Sequence, residues 1–426
     1  MLVAVVMLFV VGAMAALSID AVTLYTARSE AQLAADGAAL AGARVLANSG
    51  MTSDATGGFT GTAETQAKAV ATEVAQQNLV GGRNLTAPEV TSITFTGPPT
   101  NPRITVHVQR TDLPTFFARI WGRTQVTVGA SATAEAYNPS GANALVGTTT
   151  PVALTCVKPW LLPNLDPTST TSGAIFVTST GAITNTGLLG LSPFSSTPIP
   201  RLEPACTDCS GTLGAPTAWQ YYPGDTATTF APPTQALPTC NPPLATNYEK
   251  SIAGCVLTPI SCGTGVPNGT ANIDFSNYDS TGNRRQETAR AVNCLAHTAP
   301  GADEGDTVDT TGPPTAPFEF IAGQDNPIAL ANPSFAGKEM MVSDSLVTVP
   351  VFNSSTTAPT NPVTIIGFVQ LFLNPDGIHT PTAVGPNQGY VNATIVNMAG
   401  CGTGATGTPI LGNGNSPVAV RLISGP

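Results

Sequence analysis

Residues able to do chemistry are sparse in this chain, and their spacing decides little in favour of catalysis. His107, His297 and His379 lie far apart, and none sits in an H-E-x-x-H frame. Neither G-x-S-x-G nor G-x-x-x-x-G-K-[ST] occurs, so nucleophile-elbow and P-loop chemistry have no local signature here. Gly402-Thr403-Gly404-Ala405-Thr406-Gly407 fits G-x-G-x-x-G and follows a strand pattern. Dinucleotide binding requires a helix next and an acidic residue about 20 positions on. Pro409, Gly412 and Gly414 follow instead, and no Asp or Glu occurs after Asp376. Glycine-rich sequence produces such a match by chance.

Two clusters carry metal-ligand chemistry. Cys206-Thr207-Asp208-Cys209 has thiolate spacing suited to zinc, with Cys240, Cys255 and Cys262 downstream, but no second C-x-x-C accompanies it. The full set is Cys156, Cys206, Cys209, Cys240, Cys255, Cys262, Cys294 and Cys401, all beyond Asn138. Disulfides in an extracytoplasmic compartment are the expected state. Eight cysteines allow roughly a hundred pairings, so connectivity stays open. Asp303, Glu304, Asp306 and Asp309 form an acidic loop dense enough in oxygen for calcium, yet not spaced as an EF-hand. Solvated loop charge is the expected reading. No catalytic residue, metal site or cofactor is assigned.

The element that must position everything else is the first 48 residues. From Met1 to Ile19 only Ser18 is polar, and Asp20 is the first charge. As a helix this run covers about 28 Å at 1.5 Å per residue, close to a bilayer's hydrocarbon core. Ala, Leu, Gln, Glu and Arg then continue without proline to Asn48, so nothing local ends the helix at the membrane surface. Ala27, Ala31, Ala34, Ala38 and Ala41 recur at helical spacing, a small-residue face on which a second helix can come close. Asp36 is expected to be solvated. Asp20, at the lipid boundary, is placed to meet a partner's cation.

These residues carry a resemblance. Ile19-Asp20, Leu24-Tyr25, Ala27-Arg28 and above all Gln32-Leu33-Ala34-Ala35-Asp36-Gly37-Ala38-Ala39-Leu40-Ala41-Gly42-Ala43 resemble the N-terminal signature of TadE/TadG-like Flp pilus-assembly proteins. Gly37 stands where that pattern usually has Ala, and no Arg or Lys precedes the apolar run as it usually does. The resemblance implies a retained signal-anchor in the bacterial cytoplasmic membrane, single-pass, with the bulk of the chain outside the cytoplasm. It implies membrane lipid and other pilus-assembly or pilin-like proteins as partners. Ala13-Met14-Ala15 also has the form of a signal-peptidase site, but the run flows on into helical pattern, so retention is expected. Some relatives carry a D-x-S-x-S metal domain; Asp274-Phe275-Ser276-Asn277-Tyr278 comes nearest and lacks the second Ser.

Composition bounds the remainder. Charged residues are 10% of 426 and the formal net charge is −10, which argues against nucleic acid as a partner. Gly (42) and Pro (38) point to many turns and β-rich structure. Periodicity predicts a helix over 63–80, stopped by Gly81-Gly82, then strands over 89–96, 103–109 and 125–137. LPTFFARIWG (113–122) reads as a short helix opened by Pro114, and CVKPWLLPN (156–164) as a packed loop. A short helix is expected within 284–296, and strands over 341–352, 363–373, 390–398 and 417–423. The expected class is α+β: a long transmembrane, pilin-like helix (1–48), a small antiparallel sheet completing a pilin-like domain (49–137), and a β-rich, disulfide-containing extracytoplasmic region (138–426). The function this suggests is a non-enzymatic, membrane-anchored component of a Tad/Flp pilus or secretion apparatus. The alternatives are a tethered surface adhesin or binding protein and, behind it, a secreted hydrolase with a dispersed site.

Overall fold

The computed structural model describes residues 2–54, 56–140, 152–179, 181–190, 203–204, 220–224, 226, 230, 240, 243–261, 272–273, 284–297, 305–309, 318–340, 343–353, 363–374, 389–401, 410–412 and 414–423. The architecture is mixed α+β, with a long N-terminal apolar helix, several sheets and disulfides in the β-rich part.

Helix α1 (Leu2–Asn48) runs unbroken for 47 residues, roughly 70 Å at the helical rise. It stops where Gly50 takes left-handed backbone at φ 76°, a conformation glycine adopts without strain. A Cβ at Gly50 would also sit 3.0 Å from the Val396 carbonyl oxygen. Helix α2 (Thr60–Gln77) then returns antiparallel to α1, burying Ala63, Ala67, Ala71 and Ala75. Those alanines lie four apart, so one ridge of the helix carries no bulk. The end of α2 differs from the expected 80 for a clear reason. Leu79-Val80 pairs with Arg83-Asn84 across Gly81-Gly82, at φ 59° and 88°, so the glycines make a two-residue hairpin rather than a helix stop.

Three strands follow: β1 (Val90–Thr96), β2 (Arg103–Pro114) and β3 (Gln125–Tyr137). They pair antiparallel in sequence order. Ile104, Val106 and Val108 of β2 alternate inward beside Ala132, Ala134 and Ala136 of β3, which lets α1 lie close on the sheet. The short helix expected over 113–122 is mostly something else. Leu113 and Pro114 still pair with Val126 and Gln125, and only Ala118–Trp121 turns, as one 3-10 stretch closed by Gly122 at φ 80°.

The second sheet is built from β4 (Trp160–Pro163), β5 (Gln220–Pro223), β6 (Leu346–Phe352), β7 (Val363–Leu373) and β8 (Ala393–Gly400), with shorter edge pairings. The stretch read as a packed loop at 156–164 therefore holds a strand, with Leu162 and Pro163 beside Val351 and Phe352 in parallel. All seven residues of β6 and all eight of β8 are buried, the pattern of strands covered on both faces. Helices α3 (Asn247–Ala253) and α4 (Arg284–Leu295) pack together.

The last strand, β9 (Ala419–Ile423), leaves this region and pairs antiparallel with β3, from Ala419 opposite Tyr137 to Ile423 opposite Thr133. The first sheet therefore has the order β9-β3-β2-β1, with strands from both sides of 137/138. A buried polar knot joins the two parts at the end of α1. Asn397 Nδ2 donates to Ala47 O at 2.6 Å, Asn138 Nδ2 to Met398 O at 2.9 Å, and Gln370 Nε2 to Asn48 Oδ1 at 3.0 Å. Ser53 Oγ also donates to Met398 O, at 2.8 Å. Buried amides and hydroxyls of this kind are costly unless satisfied, so the knot fixes one relative placement.

Candidate functional site: the helix face and collar beyond the apolar run

Helix α1 changes character along its length. Val3, Met7, Val11, Met14 and Ile19 are exposed by 51–73%, an apolar surface that the rest of the chain leaves uncovered. Over Val10–Asn48 the helix has the length and hydropathy of a membrane span, and in its apolar stretch only 11% of the residues are buried. Beyond Leu24 the domain closes on it.

The small-residue face lies in that closed part. Ala27, Ala31, Ala34 and Ala38 are at most 1% exposed, and Ala41 is half-buried. Ala35, Ala39 and Ala43 are equally buried, a second ridge that the sequence reading passed over although its four-residue spacing is also helical. Both ridges are taken up by the chain's own α2 and first sheet. Gly42 marks the tightest approach: a Cβ there would fall 2.4 Å from Ile104 Cδ1 and 3.3 Å from Ala67 O. The side of α1 left open carries Val22, Tyr25 and Leu33, exposed by 66%, 79% and 65%, with Thr26 and Ser29 between them.

Asp20 is 3% exposed, neither solvated nor facing an outside cation. Its carboxylate accepts the backbone N–H groups of Phe116 (2.8 Å), Phe117 (3.0 Å) and Ala118 (2.7 Å). These are donors left free at the start of the 3-10 turn, and a carboxylate is the natural acceptor for them. Asp36, half-buried, accepts from Gln32 Nε2 at 2.8 Å.

The remaining chemical candidates are held in structural roles or lie elsewhere. Asp306 is 3% exposed, which corrects the expectation of a solvated loop charge; it accepts from Gly323 N and Asn326 Nδ2, each at 2.9 Å, and from Ser343 Oγ. His297 bonds Asp344 at 3.0 Å, and that carboxylate raises its pKa. Burial pushes the Lys158 ammonium down to about 8, with its Nζ donating to Gly254 O at 2.9 Å. His107 is half-buried on β2, as a sheet-surface histidine should be. Cys156 is bonded to Cys255 and Cys240 to Cys294, and Cys401 is also in a disulfide. Cys206, Cys209, Cys262, Asp303, Glu304, His379, the 402–407 glycine motif and 274–278 lie outside the described residues. Among the described residues no three His, Cys, Asp or Glu side chains converge as a metal site.

A bare apolar helix projecting from a small α+β module, with its charged boundary residue consumed internally, defines a protein built around one candidate membrane-spanning helix. The family comparison agrees with that outline: residues 1–45 match the family described as putative Flp pilus-assembly TadE/G-like. The match ends just short of the C-terminus of α1. No curated protein and no solved structure matches the chain.

Proposed function

We propose that this chain is a non-enzymatic component of a Tad/Flp-type pilus-assembly or secretion apparatus, held in the bacterial cytoplasmic membrane by α1 with the folded part outside the cytoplasm. The observation that carries the reading is a coincidence. The 45 residues matching the TadE/G-like family are those of the one helix, among the described residues, whose apolar half stands uncovered. Membrane lipid surrounds residues up to about Ile19. Other pilin-like helices meet α1 on the side of Val22, Tyr25, Ser29 and Leu33, because the alanine face is already occupied within the chain.

The test has two arms. A reporter fused after Pro426 is active only when exported, and its robust activity in the cytoplasm would sink the orientation. A photocrosslinker at Tyr25 or Leu33 yields adducts with other membrane-anchored pilus-assembly proteins, whereas one at the buried Ala34 yields none. Crosslinks absent from both exposed positions in cells expressing the whole apparatus would leave α1 a tether and favour a surface adhesin.

A further inference from the structure

The collar pinned by Asp20 has a composition unlike the rest of the chain. Thr115–Arg123 reads TFFARIWGR, with two arginines and no acid in a chain whose formal net charge is −10. Phe116 is 61% exposed, Arg119 and Arg123 are exposed, and Phe117 is half-buried. Neither arginine has an acidic partner among the described residues. Such a segment would be unremarkable on a mobile loop, but this one is tied shut. Thr115 N donates to Thr124 O at 3.3 Å, Arg123 N to Ala118 O at 3.1 Å, and Gly122 N to Arg119 O at 2.9 Å. Thr115 Oγ closes it further onto Arg123 O.

Its position is fixed by the three N–H bonds to Asp20, the residue at which the apolar run ends. Whatever depth α1 adopts in a bilayer, the collar is carried at the level of the last apolar turn. An exposed aromatic beside exposed guanidinium groups at that level matches the interfacial zone, where aromatic rings sit among headgroups and cations meet anionic lipid. It matches a protein partner less well, since the depth is set by the helix rather than by any groove.

We propose that residues 115–123 form an interfacial foot that takes anionic phospholipid headgroups and seats the folded domain on the membrane from which α1 emerges. The proposal rests on the reading of α1 as a membrane span. Asp20 acts as the positioning residue: it orients the foot and touches no lipid itself.

The full chain is reconstituted in vesicles of brominated phosphatidylcholine, with or without phosphatidylglycerol, and tryptophan quenching is read at introduced sites. Met14→Trp reports the span and Phe116→Trp the foot, each against the unsubstituted chain. Both are expected to be quenched, Phe116→Trp more strongly when phosphatidylglycerol is present. Arg119→Gln/Arg123→Gln in the Phe116→Trp chain should lower the docked-to-undocked ratio by about 25-fold in those vesicles, about fivefold for each arginine. Quenching at Met14→Trp should be unchanged by the same pair of substitutions. Quenching at Met14→Trp with none at Phe116→Trp overturns the foot and leaves the span standing. Quenching at neither site overturns both. Phe116→Trp quenching that ignores phosphatidylglycerol and the arginines overturns the headgroup assignment. Both arginines are exposed and have no acidic partner among the described residues, so their substitution leaves the fold intact.

Discussion

The two sheets solve the same packing problem with opposite materials. Around α1, closeness comes from having little side chain: alanine ridges on α1 and α2, and alanines on β3, with Gly42 at the tightest point. Around β6, β7 and β8 the interior is filled by bulk, with Tyr222 against Phe352 at 5.6 Å between centroids and Phe320 against Phe372 at 5.5 Å. That second region is also cross-linked, by Cys156–Cys255 and Cys240–Cys294, while the first has no cysteine at all. The contrast teaches where stability resides in each. If α1 spans the membrane as proposed, the bilayer already orders it along its length, and small-residue packing then suffices to hold a sheet against it. A region of many short strands joined by long connections loses more chain entropy on folding, and covalent links reduce that loss.

The largest expected effect follows from the cross-links. Cys156 and Cys255 are 99 residues apart in sequence, a closed loop for which the chain-entropy account gives about 4–5 kcal/mol. Cys156→Ser/Cys255→Ser should lower hydrogen-exchange protection across β6, β7 and β8 by an amount of that order, with far less change in β2. Equal loss of protection in both sheets would show that the chain unfolds as one unit and erase the distinction.

Next comes a buried ammonium in the second region. Lys158 is 6% exposed, and burial depresses its pKa from 10.5 to about 8. Between about pH 8 and 10.5 the unfolded chain keeps a proton that the folded one has released, so stability rises with pH through that window. Below it both states are protonated and the burial cost is fully present. The rise amounts to about 3 kcal/mol, taking 1.36 kcal/mol for each unit of displacement. Chemical denaturation at stepped pH should show it in the parent chain and lose it in Lys158→Met. An identical pH profile in both would mean that the ammonium reaches water.

Small residues on α1 provide the third test. Ala34→Leu forces three extra carbon atoms into a site with no exposure and should cost about 1–3 kcal/mol by overpacking. Leu33→Ala, on the open side at 65% exposure, should leave the thermal midpoint unchanged. A stable Ala34→Leu chain would mean that the alanine face is not closed by α2 and the sheet.

Much of this arrangement was legible in order along the chain. The unbroken helix, the alanine spacing, the alternation in 103–109 and 125–137 and the apolar run at 363–373 all follow from local pattern, because side-chain period reports which face is buried. What escaped was non-local. Nothing in the neighbourhood of Asp20 indicates that the N–H groups it accepts lie 96–98 residues away, and no spacing rule singles Asp306 out of its acidic loop as a buried hub. Segment 160–163 looked like a loop because Pro159 and Pro163 punctuate it, yet pairing with β6 and β5 makes it a strand. The direction of the alanine face was the sharpest limit: periodicity shows that a face is small, but only the fold shows that the chain itself covers it.

The smallest effect concerns the strand that stitches the two regions together. In β9, Arg421 Nε and a terminal guanidinium nitrogen both lie 2.6 Å from Glu135 Oε1 on β3, and the guanidinium sits 5.6 Å from the centre of the Tyr137 ring. The Arg421 side chain is 45% exposed while that of Glu135 is 5% exposed, and Arg103 also reaches Glu135, at 3.4 Å. Losing Arg421 therefore does not strand a buried carboxylate, and the penalty stays at the level of an exposed ion pair, roughly 0.5–1 kcal/mol. Arg421→Lys should recover only part of it, since an ammonium cannot place two donors on one oxygen and stack on the ring as a planar guanidinium does. The informative readout is where the loss appears. Amides of β9 and of 133–137 should exchange faster in Arg421→Ala, while β6–β8 stay protected, because β9 is ladder-bonded to the first sheet alone. Faster exchange spreading into β8 would instead place the stitch within the second region's own cooperative unit, and the two sheets would have to be treated as one.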